Sequence, residues 1–476
     1  MPRIIVLKGM DIIDGVNNEL RKNMIIIVEN GIITKIGRET ACTIPSNAKI
    51  LDFHGKTIIP GLIDCHLHLS QSGVDDFVKP YAERMYTKLK RNAYLTLKSG
   101  VTTVRNMPGG MGKYIFKFKQ KVNQGKIVAP RILASGPALA PSYGYFSLKR
   151  FFPSNPLIMC ILSRIFGAHG LALDVDTEEE AKKAVKKLKK DGVDFIKTVT
   201  PGAYIPFIKQ DKKLKDALLK KGLNPKIMEA SMKPEVLRII VEEAHKEGLK
   251  VAAHTISWPD DFKEAVKAGV DSLEHTPLGL IDDETLELMR SKKTYWVPTG
   301  YCFVNWSNFI DYPEQYNRSE IKELIPEPFY SLGKKSLDKT REGIKSGQDL
   351  LWSKFYDESK LFKQTYFPMN FKRALAKGIK IIAAVDAGAS GAGYVPHGQL
   401  YKELALFVDN GMSEFEAIQT ATKNAAELIG KEKEIGTIEI GKVGDFVVLD
   451  ANPLENISNI SEISSVIKDG KLVYKQ

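Results

Sequence analysis

Cysteine is scarce in this chain of 476 residues: Cys42, Cys65, Cys160 and Cys302 lie far apart, with no CxxC spacing. That excludes a disulfide framework and a thiolate zinc site, and leaves reduced, mostly buried thiols. Long apolar runs are missing as well. No stretch approaches the roughly 20 apolar residues that span a bilayer. The opening MPRIIVLKGMDIIDG has one early charge followed by polar punctuation, unlike a signal peptide. The short LIMCILSRIF at 157–166 reads as a buried helix. No membrane association is expected, and the location is read as cytoplasmic. Nucleic-acid motifs and aromatic-interleaved basic patches are also lacking, although the formal net charge is +12. The densest charged run, TEEEAKKAVKKLKKDG at 177–192, puts acids in the first turn of a helix and lysines in the last. That order complements the helix dipole on a solvated outer face, so no nucleic-acid partner is expected.

What is present is a strand–helix alternation. With 43% hydrophobic residues the chain can bury a large core. Short apolar runs that read as buried strands fall near 60–68, 101–106, 131–135, 193–199, 250–254, 271–275, 294–299 and 380–386. Amphipathic helices fit between them, for example at 83–98, 177–190, 234–247 and 282–291. Eight strands predict an α/β fold, a (β/α)8 TIM barrel, over 59–432. Residues 1–58 and 433–476 read instead as short strands broken by Asn-Gly, Asp-Gly and His-Gly turns, and are expected to pair into one small β-sandwich beside the barrel. Two intervals, 137–176 and 300–370, are too long for plain connections; both follow strands on the same face and are candidate lids or pocket walls.

Six residues that can hold metal close these runs: His66, His68, Lys197, His254, His275 and Asp386. His66 and His68 are two apart, so in a strand both imidazoles point to one face, here the barrel interior. Crowding four imidazoles and a carboxylate into one barrel mouth is costly unless they are paired or metal-bound. Lys197 lies among Phe195, Ile196 and Val199, where desolvation and neighbouring cations oppose an ammonium. A neutral amine can react with carbon dioxide, and the resulting carbamate has two oxygens that can bridge two divalent ions.

The motifs PGLIDCHLH, GVTTVRN, DFIKTVTPG, EEAHKEGLKVAAHT, AVKAGVDSLEHT, AVDAG, the PHG at 396–398, ATKNAAELIG and IGTIEIGKVGDFVVLDANPLE resemble the amidohydrolase superfamily along essentially the whole chain. Within it the chain is most similar to the imidazolonepropionase-related group with the Xaa-Pro dipeptidases. The resemblance implies that His66, His68 and Asp386 hold one ion, that His254 and His275 hold the other, and that carboxylated Lys197 bridges them. Two such ions would acidify a bridging water to hydroxide near neutral pH. Asp386 would take its proton and pass it to the leaving nitrogen. Nitrogen and oxygen ligands suit zinc, with manganese or cobalt as alternatives. Asp64, two residues before His66, is a candidate orienter of the ligands. Arg105, His169, Tyr204 and His397 fall on the catalytic-face loops as candidate substrate contacts, and Arg105 would grip a carboxylate in bidentate fashion.

This sequence departs from the family pattern at Asn106, where relatives often carry Asp, at Pro201-Gly202 in place of Gly-Gly, and at Ala230 in place of an aromatic. The departures weigh against a strict dipeptidase. The leading expectation is a binuclear amidohydrolase cleaving an amide bond of a small substrate, a dipeptide or N-acyl amino acid, in a homo-oligomer. A deaminase or cyclic-amide hydrolase acting on a heterocycle is the alternative, and Lys197 weighs against its single-metal versions. A catalytically dead scaffold would have no need of six buried ligands.

Overall fold

The computed structural model describes residues 3–71, 85–109, 112–147, 149, 172–200, 211–220, 224–256, 258–325, 327, 329–388 and 395–476. Its strands are β1 (Ile4–Ile12), β2 (Arg21–Glu29), β3 (Ile32–Arg38), β4 (Lys49–Asp52), β5 (Thr57–Pro60), β6 (Leu62–Leu67), β7 (Val101–Asn106), β8 (Arg131–Ala134), β9 (Ala138–Ala140), β10 (Ala172–Asp174), β11 (Ile196–Val199), β12 (Val251–His254), β13 (Ser272–Glu274), β14 (Tyr295–Val297), β15 (Phe446–Leu449), β16 (Ile463–Lys468) and β17 (Lys471–Lys475).

The two chain ends share one mixed sheet in the order β17-β16-β15-β5-β1-β2-β3, with β4 beside β1. β15 from the C-terminal end runs antiparallel to β5, pairing Val447 with Ile59 and Val448 with Ile58. Successive residues of a strand face opposite sides, and the sheet uses both. Phe446, Val448 and Ile467 pack with Leu7, Ile12, Ile26 and Ile58 in a core of the sheet's own. Val447, Leu449 and Val466 pack into the large core under the parallel strands. This side sheet is thereby fixed to the unit that carries the site.

The parallel strands follow one another edge to edge: β6-β7-β8 in one sheet and β10-β9-β11-β12-β13-β14 in the next. Asp194 donates its backbone N–H to the carbonyl of Ala134 at 2.9 Å, joining β8 to the approach of β11. The segment 380–387 bridges β14 at Trp296↔Ile381 and returns to β6 at Leu67↔Ala387. This is the strand order that a (β/α)8 barrel requires. The sequence predicts a full strand over 380–386, but only these bridges form. The backbone there is diverted: Ala383 donates to Thr420 at 3.1 Å, and Asp386 takes a left-handed φ of 55°.

Helices cover the strands where the apolar stripes predict. Thr177 opens helix Glu178–Lys190 with a reciprocal capping box to Glu180. Its buried residues, Ala181, Ala184, Val185 and Leu188, form one stripe, and its lysines stay on the outside. The long interval after β14 is helical, with Gly300–Asp311, Phe329–Lys345, Leu350–Leu361 and Phe367–Ala376 as its longest pieces. The segment LIMCILSRIF lies outside the described residues. Among those residues no helix is long and apolar enough to cross a membrane.

Candidate metal centre

The six ligand candidates lie on or just after the parallel strands: His66 in β6, His68 after it, Lys197 as the second residue of β11, His254 ending β12, His275 after β13 and Asp386 in the last segment. All six are buried. Nitrogen or oxygen atoms of His66, His275 and Asp386 lie within 4.8 Å of one another, close enough to belong to one metal centre. His275 and Asp386 both have left-handed backbones, φ 75° and 55°, and so does Thr299 at 46°. Such conformations are costly for residues with a Cβ and gather where the surroundings force a side chain into a functional place. A Cβ on Gly388, φ 85°, would meet His68 O at 2.6 Å and His397 Nε2 at 2.9 Å, so the turn after Asp386 needs glycine.

Hydrogen bonds at the rear of each ring set which nitrogen faces the site. His66 Nδ1 lies 2.6 Å from Glu274 Oε2, and His68 Nδ1 lies 2.6 Å from the Pro108 carbonyl. Carbonyl and carboxylate oxygens only accept, so both Nδ1 atoms donate and both Nε2 atoms turn inward. There they meet Asp386 Oδ1, at 3.5 Å from His66 and 3.1 Å from His68. Close as these contacts are, Asp386 Oδ1 receives no hydrogen bond. A cation among these atoms would resolve the crowding, since ligand atoms each about 2 Å from one ion lie roughly 3 Å apart.

The other half of the cluster shows the same deficit. His275 Nε2 faces His254 Nδ1 at 2.9 Å, where one hydrogen satisfies both. His254 Nε2 and Lys197 Nζ are then buried without a partner. Leaving such groups unpaired costs about 1–3 kcal/mol each, more for a charge. The residues present therefore fit divalent ions: an ion would take lone pairs of His254 Nε2 and Asp386 Oδ1, and Lys197 would join them only after losing its proton.

Burial dominates the electrostatics. It pushes His66, His254 and His275 well below the ordinary imidazole range, with Lys197 pushing the same way. Neutral imidazoles are the form that binds metal. Burial also lowers Lys197 to about 8, against the pull of Glu274 and Asp386. At pH 7 about a tenth of such a lysine is the neutral amine, against about one part in three thousand for an ordinary one. Asp64 is raised to about 8 by burial and accepts the His66 backbone N–H at 3.1 Å, a bond to the backbone and not to the imidazole.

The candidate substrate contacts fare differently. Arg105 does not line the mouth. Its Nε donates to the Cys65 carbonyl at 2.7 Å, one terminal nitrogen to Ser272 Oγ at 3.1 Å, and the other to Glu274 Oε1 at 2.7 Å. With its fork filled from within the core, it holds the carboxylate that holds His66. His397 is likewise turned inward: its Nε2 donates to the Gln71 carbonyl at 3.0 Å and its Nδ1 lies 3.4 Å from Thr96 Oγ1. Both side chains have partners within the core in this structure. His169 and Tyr204 lie outside the described residues. Asn106 accepts the Leu69 N–H at 2.9 Å and secures the turn after His68.

Sequence reasoning overlooked Glu274, which precedes His275 and has no exposed surface, and Thr299, whose hydroxyl lies 2.7 Å from His275 Nδ1. Nothing local marks either, because their partners lie elsewhere in the chain. The two long intervals do reach the site. Tyr145 stacks on His254 with ring centroids 5.0 Å apart, and Phe303 stands edge-on to His275 at 6.5 Å.

The model of the Amidohydrolase family matches residues 57–473. Ochratoxinase of Aspergillus niger is 27% identical over an alignment covering 98% of this chain and 86% of that protein. Imidazolonepropionase of Clostridium tetani is 24% identical, covering 97% and 93%. The crystal structure of a Xaa-Pro dipeptidase with methionine bound in its active site superposes with a TM-score of 0.72 at 26% identity, covering 99% of this chain and all of that one. Strand order, a buried cluster of side chains that could hold metal and these likenesses lead to one assignment: the chain belongs to the amidohydrolase family and is a hydrolase of carbon–nitrogen bonds.

Proposed function

We propose that the protein cleaves the amide bond of a small substrate, a dipeptide or an N-acyl amino acid, at two divalent ions, zinc by the donor set, with Lys197 carboxylated between them. His66, His68 and Asp386 would hold one ion, and His254 and His275 the other. The observation that carries this reading is the trio of buried polar atoms without partners: Lys197 Nζ, His254 Nε2 and Asp386 Oδ1. Three such atoms in one cluster would cost several kcal/mol in a protein that bound nothing there. Amide substrates are favoured because the similar proteins include a Xaa-Pro dipeptidase and an ochratoxinase.

When bound, the ions would acidify water and polarise the scissile carbonyl. This chain's residues do the rest. Asp386 receives a proton on its carboxylate from the attacking water and delivers it to the leaving nitrogen, so that the amine departs neutral. Glu274 and the Pro108 carbonyl keep the Nε2 atoms of His66 and His68 turned inward. Tyr145 and Phe303 cover the outer imidazoles with apolar rings, which excludes water and suits a substrate with an apolar portion.

The test is release of free amine from a library of dipeptides and N-acyl amino acids by zinc-loaded protein, with Asp386→Asn as its control. Turnover of part of the library, reduced by orders of magnitude in the variant, is expected. Turnover confined to cyclic amides or amino-heterocycles, or a variant near wild type, would overturn the reading.

A further inference from the structure

A helix normally begins with a Ser, Thr, Asp or Asn whose side chain accepts one of the first free backbone N–H groups. Helix Gly300–Asp311 begins with Thr299, and yet the threonine makes no capping bond. Its Oγ1 lies against His275 Nδ1 at 2.7 Å, at the cluster read above as the second ion's site. The N–H groups it leaves are taken by a distant residue: Glu403 accepts from Gly300 at 2.8 Å on one carboxylate oxygen and from Tyr301 at 2.7 Å on the other. Glu403 belongs to helix Leu400–Asp409 and has no exposed surface. Burying a carboxylate in an apolar interior is unfavourable unless donors meet it, so the arrangement is specific.

We propose that Glu403 is a positioning residue for His275: by capping helix 300–311 in place of Thr299, it frees the threonine hydroxyl to hold the imidazole. The proposal rests on His275 being a metal ligand. Thr299 has two competing acceptor roles, helix cap and histidine support, and Glu403 decides between them. The left-handed backbone of Thr299, φ 46°, fits this use, since an ordinary cap residue is extended. Without the carboxylate, the helix end would draw the hydroxyl back to its own N–H groups, and His275 would lose its rear bond. The bond behind a ligating histidine sets its tautomer and orientation, and its loss typically weakens metal affinity 10- to 100-fold.

The experiment compares the full chain with Glu403→Ala, Glu403→Gln and Thr299→Val, measuring zinc affinity by chelator competition and Tm of the zinc-free protein. Glu403→Ala should weaken the second zinc about 10- to 100-fold. Glu403→Gln keeps one acceptor of two and should fall between it and wild type. Thr299→Val should match Glu403→Ala, and the double variant should be no weaker than the worse single one, because both break one linkage. A residue that merely stabilised the helix would lower Tm and leave zinc affinity alone; that result in Glu403→Gln, the variant least able to disturb folding, overturns the proposal. If the wild type binds no second zinc, the metal reading of His275 fails on its own. The linkage is then decided by the crystal structure of Glu403→Ala: Thr299 Oγ1 moved to the helix N–H groups upholds it, and Oγ1 still on His275 overturns it.

Discussion

Glu274 and Arg105 form the hinge of the account at the level of single side chains. Glu274 joins three buried groups, His66 Nδ1, Ser272 Oγ and the Arg105 guanidinium, at 2.5–2.7 Å. Glu274→Gln places an amide N–H against a donor on one side or the other. Breaking a buried ion pair in this way costs about 3–5 kcal/mol. The freed imidazole should also lower zinc affinity about 10- to 100-fold. Thermal melts and chelator competition check both effects. If Glu274→Gln instead melted and bound zinc like wild type, while Arg105→Lys raised only the KM for substrates with a free carboxylate, Arg105 would be a substrate ligand after all. His397 offers a test by pH. Burial holds its imidazole at about 4, below the usual 6.5. The unfolded chain therefore takes up a proton between about pH 6.5 and 4 that the folded one refuses, so stability is full above that window and falls by roughly 3 kcal/mol as the pH drops through it. The Tm of zinc-free His397→Gln should fall less steeply from pH 7 to 5 than that of wild type; equal slopes would contradict the burial argument. The metal-binding residue types were legible in the sequence because each closes an apolar run. The supports were not, since Arg105 at a strand end reads the same whether it faces a substrate or a buried carboxylate.

Among elements, the helices and most strands follow their apolar spacing. β7 occupies Val101–Asn106 as read, and β12 begins at Val251 within one residue of the expected start. The run at 380–386 is the exception, because its apolar pattern reports burial and not where its backbone bonds go. The helix after Thr299 is another case: the carboxylate that meets its first N–H groups comes from Glu403, about a hundred residues away. The pairing of the chain ends could be anticipated from their turns and strands, whereas the order with β5 between β1 and β15 could not, since it depends on contacts between residues hundreds of positions apart. We expect removal of residues 460–476 to strip β16 and β17 from β15, exposing its edge and the apolar side chains that Ile463, Val466 and Ile467 cover. Uncovered strand edges associate, so the truncated chain should aggregate on expression, as size-exclusion chromatography would show. A monodisperse, active truncation would mean that the ends do not depend on each other.

For the molecule as a whole, the parallel strands bring residues from 66 to 386 into one buried cluster. Leaving Lys197 Nζ, His254 Nε2 and Asp386 Oδ1 buried together without partners is costly unless something else satisfies them. The central claim is that two divalent ions do so, with Lys197 as their bridge. The direct measurement is the metal content of protein loaded with zinc in bicarbonate buffer, for wild type and Lys197→Ala side by side. The account predicts about two zinc ions per wild-type chain, a loss of metal together with activity in Lys197→Ala, and partial recovery of both when a short carboxylic acid is added, since a carboxylate can stand in for the carbamate. A Lys197→Ala protein that keeps two ions and full activity would contradict it.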